Sequence, residues 1–267
     1  MQPNQVNCRW PLALLPLFGT NGRGEIASPF LGAPLPPERS NPVGDLVEAG
    51  GACVHLPELH EYHRRLIVAK KDDIRKLKQA ARKEKLLWRK SLSPEEAREK
   101  SRCIAAALRI LPEYAAAKSV LFYVSAKANE VDTHALIQEA LEKGVRVLVP
   151  ATDFDNHVLK IAEILAMQEL VPGRFGLLEP APDQLRIRTA EDADVIIVPG
   201  VAFDRKCRRV GFGGGYYDRL LSGRRSPAVA LAYEGQLMER APVDAHDVPV
   251  DLLVTERAVY RAEKSRG

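Results

Sequence analysis

Nowhere in the 267 residues is there an uninterrupted apolar run of the ~18–20 residues that a membrane-spanning helix needs, which argues against an integral helical membrane protein. Cysteine is scarce. Cys8, Cys53, Cys103 and Cys207 stand apart without C-x-x-C spacing, so neither a zinc ribbon nor a disulfide framework is indicated, and a reducing cytoplasm is the expected compartment. The early apolar stretch WPLALLPLF (10–18) is broken by Pro11 and Pro16, and no small-x-small cleavage site follows it, so it is not read as a secretory signal. A Walker phosphate loop is also missing, as is G-x-G-x-x-G after a first strand. Apolar residues are not lacking: at 46% hydrophobic, the chain can build a globular core of one large α/β domain or two small ones.

The net charge of +4 is unevenly spread, for Arg64 to Arg102 holds fifteen Lys/Arg against six Asp/Glu. Such a run is either a solvated helix face or an attractor of an anionic small molecule such as a nucleotide or polyglutamate. Nucleic acid ranks last, because the run carries no interleaved aromatics and no known nucleic-acid module. Residues 1–66 are rich in Pro, Gly and Asn, show no sustained period, and predict a poorly ordered extension. His55, His60 and His63 fall within it, without the scaffold or companion ligands of a metal site.

The pattern then becomes regular. Residues 70–90 predict a basic helix, and Ser93, Pro94 and Glu96 form a helix-start signature for a second one to about Leu111. SVLFYVSA (119–126) predicts a buried strand, VDTHALIQEALEKG a helix capped by Asp132 or Thr133 and stopped at Gly144, and VRVLVP (145–150) the next strand. Residues 193–200, 227–233 and 251–256 give three more apolar runs, while HVLKIAEI suits an added antiparallel strand and VPGRFGLLEP a loop near a site. Strands alternating with helices predict an α/β three-layer sandwich with a mainly parallel central sheet over residues 67–260, followed by a short tail, 261–267.

In RRVGFGGGYYDRL (208–220), four glycines fall within five positions. Each loses more backbone freedom on folding than any other residue, so a structural or chemical return is expected. A glycine-rich turn between a strand and a helix lets backbone N–H groups approach a phosphate closely. Its neighbours are those of a nucleotide site: Arg208 and Arg209 to pair with phosphate oxygens, Asp218 to hold magnesium, Tyr216 and Tyr217 to stack on a flat ring.

PGVAFDRKCRRVGFGGGYYDRLL resembles the signature of the 5-formyltetrahydrofolate cyclo-ligase (5,10-methenyltetrahydrofolate synthetase) family. The likeness extends from about Lys70 to Glu256 through KKDDIRKLKQAAR, YVSAKANEVDT, GRFGLLEP and HDVPVDLLVTE. It implies ATP- and Mg2+-dependent closure of 5-formyltetrahydrofolate, with or without a polyglutamate tail, to 5,10-methenyltetrahydrofolate. By the same resemblance, Lys71, with Arg75 one turn later, reaches ATP phosphate, the neighbouring Lys70 being the alternative register. Arg209 with Gly211, Phe212, Gly213, Gly214, Gly215, Tyr216 and Tyr217 matches the phosphate cradle, and Lys71 and Arg209 are the catalytic candidates. Asp218 matches the magnesium-associated acid, with Asp251 as a second candidate. Glu130 matches a carboxylate that hydrogen-bonds the pterin, with Tyr123, Phe175 and Tyr217 as aromatic walls; Tyr123 and Phe175 read equally well as core, and Glu130 as a helix cap. Asp204 reads as a turn former. Cys207 stands where the family has a glycine, a position suited to positive φ. A diverged paralogue and a non-catalytic nucleotide- or RNA-binding protein remain the alternatives, and the oligomeric state is not legible.

Overall fold

The computed structural model describes residues 46–49, 52–126 and 129–263, with side chains from residue 72 onward except that of Gln184. The chain divides into two compact units, Met1–Lys70 and Lys71–Gly267. In the first, β1 (Leu46–Ala49) and β2 (Ala52–His55) form an antiparallel hairpin, Leu46 opposite His55. Most of the expected poorly ordered extension lies outside the described residues, but the basic helix begins earlier than its sequence period suggests: α1 is Leu56–Ser91.

The second unit opens with the remainder of α1 and then α2 (Pro94–Arg109), which carries the expected capping box: Glu96 N donates to Ser93 Oγ at 3.2 Å, and Ser93 N to Glu96 Oε2 at 2.8 Å. A short α3 (Pro112–Ala115) leads to β3 (Ser119–Leu121), α4 (His134–Glu142), β4 (Arg146–Asp153) and β5 (Val158–Ile164). The hairpin of β6 (Leu170–Pro172) and β7 (Leu178–Pro180) precedes β8 (Arg186–Arg188) and β9 (Val195–Val198). A second small hairpin, β10 (Ala202–Phe203) and β11 (Arg209–Val210), runs into α5 (Tyr216–Leu221). The chain finishes with β12 (Ala228–Leu231), β13 (Leu252–Val254) and β14 (Val259–Arg261).

Eight strands form one sheet in the order β14-β13-β12-β9-β3-β4-β5-β8. The central five pair in parallel, and β14, β5 and β8 add antiparallel edges, so the mainly parallel sheet and the added antiparallel strand at HVLKIAEI are both as expected. The last of these strands, β14, ends at Arg261. The strands are apolar on both sides. Leu121, Leu148, Ile196, Ala230 and Leu253 meet Phe203 and Leu221 in one buried cluster, and the alternating residues Val120, Val147, Ile197, Val229 and Val254, also buried, point the other way. There α2 and α4 form the layer, joined by Arg109 Nε donating to Glu139 Oε2 at 2.7 Å.

The chain steps from β3 through α4 to β4 in one direction along the sheet, and from β9 through α5 to β12 in the other. Right-handed crossovers in opposite directions put their helices on opposite faces and open a crevice at the strands' carboxyl ends between β3 and β9. The topology thus names the place to look for a site. As a test of the helix start, Ser93→Ala should cost about 1 kcal/mol and lower Tm by about 2–4 °C in a thermal melt.

Candidate functional site

A cavity of about 1030 Å³ lies at that crevice. Tyr123 and Val124 enter it just after β3, Pro199 just after β9, and the glycine loop Gly211–Gly215 forms one wall. The loop's return on its glycines is visible: Gly213 has φ 111° and Gly215 φ 66°, conformations that side chains other than glycine rarely adopt. Gly214 carries the ring of Tyr216 so closely that a Cβ there would lie 2.6 Å from it. With only six residues, α5 offers little dipole, so the cradle depends on backbone N–H groups and on nearby cations.

Those cations come from three elements. Arg209, on β11 and only 4% exposed, donates from Nη2 to Asp218 Oδ1 at 2.7 Å; the same oxygen accepts Val248 N at 3.2 Å. Burial pushes the Arg209 pKa down, and Asp218 opposes that shift. Its Nε is buried with no hydrogen-bond partner. Arg82, on α1, donates from Nε to Gly211 O at 2.7 Å and lies with its guanidinium 3.5 Å from where a Cβ on Gly213 would be. Lys78, one turn earlier, is gripped by Asp244 at 2.7 Å and Asp247 at 2.5 Å. Arg219 closes the loop, donating from Nη2 to Gly214 O at 2.8 Å and His157 O at 2.6 Å.

The same cavity has an apolar lining of Phe154, Leu159, Phe175, Leu177 and Leu178. Phe154 and Phe175 meet edge to face at 5.6 Å. Glu130 is among the lining residues, its Oε2 accepting Ala126 N at 3.3 Å. Burial, then the charge of Glu130, pushes the Tyr217 hydroxyl pKa up.

Residues 73–256 match the model of the 5-formyltetrahydrofolate cyclo-ligase family. The chain belongs to that family. It is therefore an enzyme of the ligase class. It is 33% identical over 213 residues to the mitochondrial 5-formyltetrahydrofolate cyclo-ligase of Arabidopsis thaliana, covering 70% of this chain and 77% of the relative. The Escherichia coli cyclo-ligase is 32% identical, over 64% of this chain and 96% of its own. The solved 5,10-methenyltetrahydrofolate synthetase of Aquifex aeolicus superposes with TM-score 0.63 at 39% identity, covering 72% of this chain and 95% of that one.

Within the cyclo-ligase fold, Arg209, Gly211, Phe212, Gly213, Gly214, Gly215, Tyr216, Tyr217, Asp218, Glu130, Tyr123 and Phe175 all line one cavity. Tyr123 is mostly core, its hydroxyl donating to Val131 O at 2.8 Å. Glu130 does not cap α4, whose N-cap is Thr133. Two expectations need correction. Arg75 is exposed and absent from the lining, where Lys78 and Arg82 stand; the side chain of Lys71 lies outside the described residues. Asp251 is also absent from the lining: at the amino end of β13 its Oδ2 accepts Ala228 N at 2.7 Å and Arg224 Nη2 at 2.9 Å. The acids that line the cavity with Asp218 are Glu130, Glu179, Asp244 and Asp247. A signal for the first correction existed, because Lys71, Arg75, Lys78 and Arg82 recur at helical spacing on one face. Asp204 is a buried turn former, as expected, with Oδ1 accepting Lys206 N at 3.0 Å and Arg208 N at 3.1 Å.

The Lys78 latch gives a pH prediction. Burial disfavours the charged ammonium, but the two carboxylates outweigh it and hold the Lys78 pKa above 10.5; Lys78 in turn holds the Asp244 carboxyl below 3.8. The contribution of Lys78 is complete below 10.5 and is lost as pH rises through its raised value. That of Asp244 is complete above 3.8 and is lost as pH falls through its depressed value. In melts across pH, Lys78→Met should lie below the wild type between those limits, and the gap should narrow in stronger acid.

Proposed function

We propose that the chain catalyses ATP- and Mg2+-dependent cyclisation of 5-formyltetrahydrofolate to 5,10-methenyltetrahydrofolate, releasing ADP and phosphate. The observation that carries this reading is one cavity whose lining combines phosphate-type groups (Lys78, Arg82, Arg209 and the glycine loop) with aromatic and aliphatic side chains. Its volume of about 1030 Å³ stands at the upper end of small-molecule sites, roughly 300–1,000 Å³, as two substrates held side by side require.

The chemistry suits that lining. A formamide oxygen is a poor leaving group, so the terminal phosphoryl of ATP is transferred to it, breaking the bond to ADP and forming an imidate-like phosphate. N10 of the folate then attacks the activated carbon and gives up its proton, and the carbon–oxygen bond breaks as phosphate departs. Little covalent work falls to the protein; alignment and charge neutralisation dominate. Lys78, Arg82 and Arg209 supply the positive charge, and Glu130 accepts hydrogen bonds from the pterin. Asp218 fits a hard cation, since Oδ1 takes the bonds from Arg209 and Val248 and, among the described residues, Oδ2 is left for the metal, with Asp247 also on the cavity wall. Magnesium bound there with the phosphates would offset their charge. Among the described residues no helix is long and apolar enough to cross a membrane. We place the reaction in the cytoplasm on the cysteine pattern; the Arabidopsis relative's name marks the mitochondrion as the alternative.

Absorbance of the methenyl product in the near ultraviolet, with and without ATP, tests the reading. A band that needs ATP supports it, and no band from folded, ATP-binding protein transfers the fold to another substrate. In the same assay Arg82→Ala should lower kcat/KM for ATP about 10- to 100-fold, whereas Arg75→Ala should stay within about twofold. Asp218→Asn should depress Mg2+-dependent turnover by at least about 10-fold and, because it leaves Arg209 without its countercharge, cost about 1–3 kcal/mol of stability.

A further inference from the structure

Every cation on the charged wall is already engaged: Lys78 by two carboxylates, Arg209 by Asp218, Arg82 by a carbonyl and Arg219 by two. Arg174 differs. It sits in the β6–β7 turn, exposed, with its guanidinium carbon 4.7 Å from the ring centre of Phe154 and 5.7 Å from that of Phe175. Among the described residues no carboxylate pairs with it. The two rings line the cavity while Arg174, on their exposed side, does not. Phe175 is 72% exposed and has φ 59° and ψ 21°, a left-handed conformation uncommon for a bulky side chain and a reason to look for function at this turn.

We propose that Arg174 is a specificity-determining residue that receives the glutamate carboxylates of the folate substrate. The inference rests on the reaction proposed above. The formyl carbon and N10 must face the phosphate wall, so the pterin end enters first and the aminobenzoyl-glutamate end is left toward the mouth. An aromatic wall suits the benzoyl ring, and a planar cation stacked against that wall is held in place to meet an anion beyond it. Guanidinium and carboxylate also match in geometry, two donors to two acceptors.

The test compares two substrates with the same reacting centre: 5-formyltetrahydrofolate and 5-formyltetrahydropteroate, which lacks the glutamate. Arg174→Ala should raise KM for the glutamate-bearing substrate about three- to fivefold, the scale of an exposed ion pair. It should leave kcat, KM for ATP and the pteroate reaction unchanged. Arg174→Glu should raise the same KM further, and Arg174→Lys should recover part of the loss. An equal change on both substrates would make Arg174 a support for the phenyl rings and overturn the inference, as would an unchanged KM in Arg174→Glu. Turnover of neither substrate by the wild type would instead remove the cyclo-ligase reading, and this inference with it.

Discussion

A guanidinium taken out of water is the constraint around which the site is arranged. Arg209 is 4% exposed, and desolvating an ion costs several kcal/mol even after the protein relaxes. Asp218 offsets that cost at 2.7 Å, and in doing so fixes β11 to α5. The glycine cradle is the chain between those two anchors, so its shape is set at both ends by one ion pair. Val248 N, donating to the same carboxylate oxygen at 3.2 Å, brings in the segment that carries Asp244 and Asp247.

That segment and α1 then hold each other. Lys78 bonds both acids and Arg82 bonds the carbonyl of Gly211, so the helix is secured to both sides of the cradle. Four cations, Lys78, Arg82, Arg209 and Arg219, are set against five acids, Glu130, Glu179, Asp218, Asp244 and Asp247. With this internal balance, the free site avoids the self-repulsion that a purely basic phosphate pocket would carry. A phosphate with its counter-cation can be exchanged into such a site with little change in net charge.

The fold was legible wherever a local pattern had one physical solution. Ser93 and Glu96 can cap only one helix start, and the apolar runs around Val120, Ile196, Val229 and Leu253 suit only strands buried on both faces. The glycine cluster was legible because few other uses justify its entropy. Register was not. The basic stripe of α1 repeats every three or four residues, and Lys71 and Lys78 differ only by two turns, about 10 Å along the axis; nothing local says which turn meets the cradle. Asp251 posed the same problem. Strand direction decided it: Asp251 precedes β13 at the amino end of the parallel strands, whereas the cavity opens at the carboxyl ends of β3 and β9.

Cys207 shows how a departure from the family pattern can be absorbed. Its φ is 61°, the left-handed conformation expected for the position, and a side chain there costs about 1 kcal/mol relative to glycine. The turn does not rely on Cys207 to choose its shape. Asp204 accepts the backbone N–H groups of Lys206, Arg208 and Ala241 through its carboxylate and that of Cys207 through its carbonyl, which over-determines the backbone. The thiol is fully buried within the core cluster, burial pushes its pKa up to about 12, and it donates to Tyr260 O at 3.6 Å. Arg209 leaves this turn already aimed at Asp218. Strain at Cys207 therefore draws on the stability of the β10–β11 hairpin, while the geometry of the cradle is set by the ion pair beyond it.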